Sequence, residues 1–441
     1  MGERNRRDFL AASALVVPTI LAARCATARA PSDLAPRQAS ESRGRPLRVG
    51  VIGCGGRGGG AAFDALRASP DTRLVALGDV FGERVQGVAA GLAKEFGTRG
   101  EVPDSARFSG FDSYRMVLAT DCDVVILTTA PGFRPAHFAA AVDAGKHVFF
   151  EKPVAVDPTG VRTVIEASER AAARKLCVVA GTQRRHERCY LQAMAMIRDG
   201  AIGQPVAARV YWNQGGLWSK EPDPARSDIE NQVRNWLYHT WLSGDHVVEQ
   251  HVHNIDVMNW AFDALPVRCT ATGGRQVRTQ PVYGAINDHF SIHYVFDGGP
   301  AGERLGASMC RQQDGTDGAV EEVIIGTEGT MRLSSGSARC TGRVKWAFEG
   351  PNPNPYLQEH IDLQEAIRGH APYVNEGRRI AESTMTAIMG RMAAYTGKDL
   401  SWDVALNDPM DLVPKDPRPG PGPVERVAMP GQEPAASAKP A

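Results

Sequence analysis

The stretch Leu47-Arg48-Val49-Gly50-Val51-Ile52-Gly53-Cys54-Gly55-Gly56-Arg57-Gly58 decides the fold. A short apolar strand runs into Gly-x-Gly-x-x-Gly, and Gly59 to about Ala68 then has helical character. In that strand–turn–helix setting Gly53 permits a tight turn, Gly55 lets backbone approach a pyrophosphate, and Gly58 lets the helix pack close to the strand. The helix start, with Gly56 and Arg57, offers free N–H groups and a positive dipole end to phosphate. A second strand, Leu74–Gly78, ends at Asp79, 21 residues beyond Gly58. A carboxylate there accepts hydrogen bonds from both ribose hydroxyls and repels a 2′-phosphate. The pattern points to NAD, with NADP possible because Arg84 lies close by in sequence.

The same alternation continues outward. Asp123–Leu127 reads as a buried strand ending in Thr128-Thr129-Ala130-Pro131, and a helix follows near Pro135–Ala144. Lys146–Phe150 is another strand, ending in Glu151-Lys152-Pro153, and Leu176–Ala180 is one more. Strands alternating with helices imply a doubly wound parallel sheet, whose ligands sit at the carboxyl ends of the strands. Thr129, Pro131, His137, Glu151 and Lys152 therefore join Gly53, Gly55, Gly56, Arg57, Gly58 and Asp79 as candidate cofactor contacts.

Strand-like runs then recur at 206–212, 268–271, 290–296, 307–311, 322–325 and 331–333, which suggests a largely antiparallel sheet. The expected fold is α/β, with an N-terminal Rossmann domain over 46–184. A substrate-binding and oligomerisation α/β domain with a large, mostly antiparallel open sheet spans 185–405, and an irregular Pro/Gly-rich tail spans 406–441.

The N-terminus carries Arg6-Arg7-Asp8-Phe9-Leu10 followed by an apolar run from Ala11 to Ala23. This is similar to a twin-arginine (Tat) export signal over 1–30, cut best after Ala26-Thr27-Ala28, with a linker over 31–45. The run falls short of the roughly 20 residues that span a bilayer, so no stable membrane anchor is expected. A periplasmic or otherwise exported location follows. Because that route moves folded proteins, a cofactor loaded before export would have to stay bound.

Composition excludes other classes. Lys plus Arg total 50 and Asp plus Glu total 50, a balance that speaks against a nucleic-acid partner. The eight cysteines form no CxxC pair and so give no zinc-site signal; Cys25 is expected to leave with the export signal, and the remaining seven read as mostly buried thiols and not a disulfide framework.

The glycine motif, Ala144-Gly145-Lys146-His147-Val148 and above all Glu151-Lys152-Pro153 resemble the Gfo/Idh/MocA oxidoreductases, over about residues 46 to 405. Gly326–Thr330 and the late helical run from Tyr356 to Gly397 agree with this. The resemblance implies that Lys152 lies beside the nicotinamide and the reacting hydroxyl, where a cation stabilises developing alkoxide charge. It also implies a Lys152–Pro153 bond that is often cis. The family's acid–histidine–aspartate signature falls on Glu249, His253 and Asp256, with Glu249 standing where an aspartate is usual. On one continuous helix Asp245, Glu249, His253 and Asp256 would share a face. His253 would then take the hydroxyl proton, oriented by Glu249. If the stretch were extended instead, Glu249, His251 and His253 would share a strand face that suits a metal; the helical reading is adopted, with no metal site assigned.

Between Tyr211 and Trp241 lie four of the seven tryptophans, interleaved with amides and charges. Flat aromatic faces beside hydrogen-bonding groups suit a sugar. Trp236, Tyr238, His239 and Arg185 are the candidate substrate contacts. The sequence thus reads as an exported NAD(P)-dependent oxidoreductase acting on a sugar, sugar derivative or cyclitol, with tightly held cofactor. The family resemblance also implies a homo-oligomer, a dimer or tetramer. The alternatives are an NAD-dependent glycoside hydrolase working by transient oxidation and elimination, and a sugar-binding protein on the same fold.

Overall fold

Strand β1 (Leu47–Ile52) is buried along nearly its whole length. That burial places it at the centre of a parallel sheet, where both faces are covered by helices. The computed structural model describes residues 45–298 and 302–432. The export signal and all but the last residue of the linker lie outside the described residues.

The first sheet pairs β1 with β2 (Thr72–Asp79) on one side and β4 (Val124–Leu127) on the other. Its full order is β3-β2-β1-β4-β5-β6, with β3 at Arg107–Ser109, β5 at His147–Phe150 and β6 at Val178–Ala180, and every pair is parallel. Helices α1 (Gly56–Ala68), α2 (Gly82–Phe96), α3 (Ser113–Leu118), α4 (Arg134–Asp143) and α5 (Pro158–Ala173) make the crossovers. The order reverses between β1 and β4, so a crevice opens beyond their carboxyl ends.

The chain then runs through α6 (Arg188–Arg198) into β7 (Pro205–Gln214), at the middle of a nine-stranded sheet. Strands β8 (Arg268–Gly274), β9 (His289–Phe296), β10 (Arg304–Gln312), β11 (Ala319–Gly326), β12 (Gly329–Ser334), β13 (Ser337–Gly342), β14 (Trp346–Ala347) and β15 (Leu400–Ser401) complete it. Their order is β14-β13-β12-β11-β7-β10-β9-β8-β15, antiparallel throughout except where β7 meets β10. On β10, Gly306, Ser308 and Cys310 face inward while Leu305 and Met309 are exposed, so the sheet is covered on one side only.

Short helices α7 (Asp228–Arg234), α8 (Thr240–Ser243) and α9 (His246–Glu249) precede α10 (Val252–Phe262), which packs under β7 and β11. Two late helices, α11 (Pro355–Ile367) and α12 (Gly377–Thr396), return to the first domain. Leu363 and Ala366 of α11 join the core under β1, and α12 packs on α5. The first domain is therefore completed by residues far beyond 184. Among the described residues, seven cysteines are buried and unpaired, and no helix is long and apolar enough to cross a membrane.

Candidate active site

At the end of β1, Gly53 turns with φ of 98°, and a Cβ there would lie 2.6 Å from the Thr129 nitrogen. At Gly58 a Cβ would fall 1.8 Å from the Gly53 oxygen, so only glycine lets α1 begin this close to β1. Gly55 and Gly56 are the opposite case: nothing stands within 4 Å of where their Cβ would be. Helix α1 starts there with no side-chain cap and no acidic residue in its first turn. Its first N–H groups are left for an outside acceptor, a donor set that fits the diphosphate of a dinucleotide.

Asp79 closes the edge of this cradle. Its Oδ2 accepts the Cys54 N–H at 2.7 Å and its Oδ1 accepts the Phe81 N–H at 2.9 Å. Burial raises its pKa, opposed by those N–H groups and by Arg84, 4.0 Å away. Each carboxylate oxygen keeps a second lone pair for a ribose hydroxyl. A cavity of about 690 Å³ opens over Gly53–Gly58, Asp79 and Arg84, and is walled by Thr129, His137 and Trp236. His137 stacks on Tyr114 at 4.2 Å between centroids, with Nδ1 3.2 Å from the Thr129 hydroxyl. Burial, with Arg115 and Arg134 adding to it, pushes His137 down to about 3, so it is a neutral wall.

Lys152 and Glu249 meet at the end of β5. Lys152 Nζ donates to the Glu249 carbonyl oxygen at 2.7 Å and lies 3.3 Å from Glu249 Oε1. The Lys152–Pro153 bond is cis, as the family resemblance implied. Buried Arg134 donates to the Pro153 carbonyl and so holds this turn from α4. His253, in the first turn of α10, stacks on Trp212 of β7 at 5.7 Å and 19°. Burial, then the nearby cations Lys152, Arg184 and Arg57, hold its pKa well below the usual imidazole value. A neutral imidazole beside a lysine is the protonation pattern needed to accept a hydroxyl proton while a cation steadies the oxygen. The Nδ1 of His253 is buried with no hydrogen-bond partner among the described residues.

Several sequence expectations change. Residues 245–256 do not form one helix. The chain breaks at Gln250 and His251 between α9 and α10, so the shared face ends there. Asp245 is wholly buried with φ of 73°, and binds the N–H groups of His246 and Asn287 and the Tyr395 hydroxyl. Its role is to hold the fold. His246 bonds Asp245, and His251 bonds the Ser308 hydroxyl at 2.7 Å. Because 252–262 is helical, His251 and His253 do not share a strand face, and no metal-binding group occurs among the described residues.

The proposed substrate contacts scatter. Tyr238 is fully buried, donates to the Leu217 carbonyl at 3.0 Å and packs on Tyr283. His239 sits 3.3 Å from Glu425, and Arg185 is held by Asp256 at 2.8 Å with Trp260 beneath it. Only Trp236 of the four borders the cavity. Pro131 is buried in a turn whose neighbours, not itself, line the cavity. Glu151 faces inward as well: it binds Arg57, and Arg57 also binds Glu359 of α11 at 2.9 Å. Neither Lys152, Glu249 nor His253 borders the cavity, which therefore marks the dinucleotide half and not the reacting centre.

Sequence reading missed the groups that hold this centre. Arg184 pairs with buried Glu322, which accepts from Asn254 at 2.7 Å and from Tyr190 at 2.9 Å. That cluster pins the first turn of α10 beside His253. Gln250 joins Gln214 at 3.2 Å and also Gln312, a run of amides beside Glu249. No local motif announces either set, because each is assembled from elements far apart in sequence.

A parallel sheet with a glycine cradle, met by a lysine and a histidine from two domains, defines a two-domain dinucleotide-binding oxidoreductase fold. The family description "Oxidoreductase family, NAD-binding Rossmann fold" matches residues 47–180, and "GFO/IDH/MocA C-terminal domain" matches residues 190–332. The chain belongs to the Gfo/Idh/MocA oxidoreductases. It is similar to inositol 2-dehydrogenase of Acidothermus cellulolyticus, with 28% identity over 53% of this chain and 58% of that protein. It is also similar to inositol 2-dehydrogenase 3 of Saccharopolyspora erythraea, with 26% identity over 68% of this chain and 79% of that protein. The match thus spans little more than half the length of the first relative and about four-fifths of the second. Among solved structures, the aldose–aldose oxidoreductase of Caulobacter crescentus complexed with glycerol has a TM-score of 0.64. It is 18% identical and covers 81% of this chain and 100% of its own, a likeness of fold.

Proposed function

We propose that this protein is an exported NAD-dependent oxidoreductase that removes hydride from a hydroxyl-bearing carbon of a cyclitol or sugar. The observation that carries the reading is the Lys152–Glu249 contact at the carboxyl edge of the sheet that bears the glycine cradle, with a buried, neutral His253 near enough to feel the Lys152 charge. When bound, the nicotinamide supplies the hydride acceptor. Lys152 donates to the substrate oxygen and lowers the cost of its negative charge. His253 accepts the hydroxyl proton on its imidazole and passes it to solvent, leaving a carbonyl product. Glu249 holds the Lys152 ammonium in place. The relatives named inositol 2-dehydrogenase favour a polyol substrate.

Export through the twin-arginine route and retention of the cofactor through turnover complete the proposal. We place a homo-oligomer contact on the uncovered face of the second sheet, where Leu305 and Met309 are exposed. The test is to purify the protein from the cell envelope, denature it and identify released nicotinamide by mass. The apo-protein is then screened with NAD and a panel of cyclitols and aldoses for reduced nicotinamide. Reduction by a polyol, lost in K152A, is the expected result. Absence of any dinucleotide binding overturns the proposal.

A further inference from the structure

The same cavity has a wall that neither the glycine motif nor the catalytic signature accounts for. Val413 to Arg418, from the segment beyond the second domain, line it opposite the glycine loop. The segment is anchored on both sides of that crossing. Upstream, the Leu412 N–H donates to Asp157 Oδ2 at 2.8 Å, and Asp157 also caps α5. Downstream, the Gly420 carbonyl accepts the Ile229 N–H at 3.0 Å, and the Gly422 N–H donates to Asp228 Oδ2 at 2.8 Å, both at the start of α7. Glu425 accepts the Trp241 N–H at 3.0 Å, further along the same edge. Between the anchors, Arg418 donates to Asp112 Oδ2 at 2.7 Å on the first-domain rim.

Its sequence suits a stiff crossing. Pro414, Pro417, Pro419 and Pro421 fix backbone angles, so little conformational entropy is lost when it is laid down. Its charge suits what the cavity would hold. Lys415 lines the cavity and forms no salt bridge among the described residues, and Lys220 on the facing lip is likewise without one. Two ammonium groups outside any salt bridge among the described residues share this cavity with the free N–H groups at the start of α1, a set that fits a dianionic diphosphate.

We propose that residues 412–425 form part of the dinucleotide site, a strap laid across the bound cofactor, with Lys415 as a cofactor contact and the Arg418–Asp112 pair as its latch. This rests on the NAD-dependent reading above, and it supplies that reading with a means of retaining the cofactor. Release of the dinucleotide then requires the latch to open.

The test uses the full chain loaded with NADH, following release by loss of its fluorescence on chasing with excess NAD. R418D places like charges at the latch and should speed release about fivefold, the scale of a partly exposed ion pair. The double variant D112R/R418D restores the pair reversed and should return the rate to within about twofold of the original. Bound NAD should also slow tryptic cleavage after Lys415. An unchanged release rate in R418D, no recovery in the double variant, or cleavage indifferent to NAD would each overturn the strap while leaving dinucleotide binding intact. A chain that takes up no dinucleotide at all would overturn both the strap and the proposed function.

Discussion

The glycine cradle and the catalytic junction are built by opposite means. In the cradle, Gly53 and Gly58 sit five residues apart, and the constraint is set locally by the Gly53 φ of 98° and by a Gly58 Cβ that would fall on the Gly53 carbonyl. At the junction, Lys152 meets Glu249, Arg57 meets Glu151 and Glu359, and Arg184 meets Glu322. Every one of those pairs joins residues about a hundred or more positions apart in sequence, each through at least one charged side chain. The difference teaches where to look: backbone requirements leave a local trace in sequence, whereas a charge network leaves none until the chain has folded.

The largest expected effect falls on the junction. K152A should lower kcat by about 10²–10³, the cost of losing one preorganised donor, while NAD affinity measured by calorimetry changes little. H253A should cost about 10²–10⁴ through the lost base. Because burial keeps His253 neutral well below the usual imidazole pKa, kcat/KM should show no acid limb near 6.5. A limb there that disappears in H253A would break this assignment.

The cradle predicts a sharper division. G58A should destabilise the apo-protein by about 1–3 kcal/mol, read by denaturant melts, because its methyl meets backbone. G55A meets nothing and should leave the apo melt unchanged, yet weaken NAD by about tenfold or more, because its methyl occupies the diphosphate space. Equal behaviour of the two variants would erase the distinction between packing glycine and ligand glycine.

A smaller effect concerns the network beneath the junction. Although burial works against it, the hydrogen bond that His186 Nδ1 makes to Asp362 at 2.6 Å and the Glu376 carboxylate 3.9 Å from Nε2 push the His186 imidazole up to about 10. A raised histidine stabilises the fold fully below its unfolded value near 6.5, and that contribution is lost as pH rises toward 10. Between those limits the wild type should lose at most about 1.4 kcal/mol per pH unit in urea melts, and H186Q should lose markedly less over the same interval. The smallest effect is Y238F. It removes one buried hydrogen bond to Leu217 and should cost about 1 kcal/mol of stability with unchanged kcat/KM. A large rise in KM would return Tyr238 to the substrate contacts.

The sequence by itself determined the parallel sheet and the cradle, and it pointed to Asp79, all from apolar runs and glycine spacing read within a few residues. Lys152 and His253 were singled out by the family resemblance of their short motifs. The sequence also placed the main strands of both sheets, although β3 of the first and β13, β14 and β15 of the second escaped it. Tertiary structure alone decided the rest. It broke 245–256 into two helices at Gln250 and His251, whose side chains bond Gln214, Gln312 and Ser308 of the second sheet. It took Tyr238 into an aromatic core and gave Arg185 to Asp256, because an amphipathic side chain reads the same in sequence whether it meets a ligand or a neighbour. It brought α11 back to complete the first domain, and it laid a proline-rich tail over the dinucleotide cavity. Those outcomes depend on which distant surfaces remain to be buried and which charges remain to be paired, and a chain settles both only by folding.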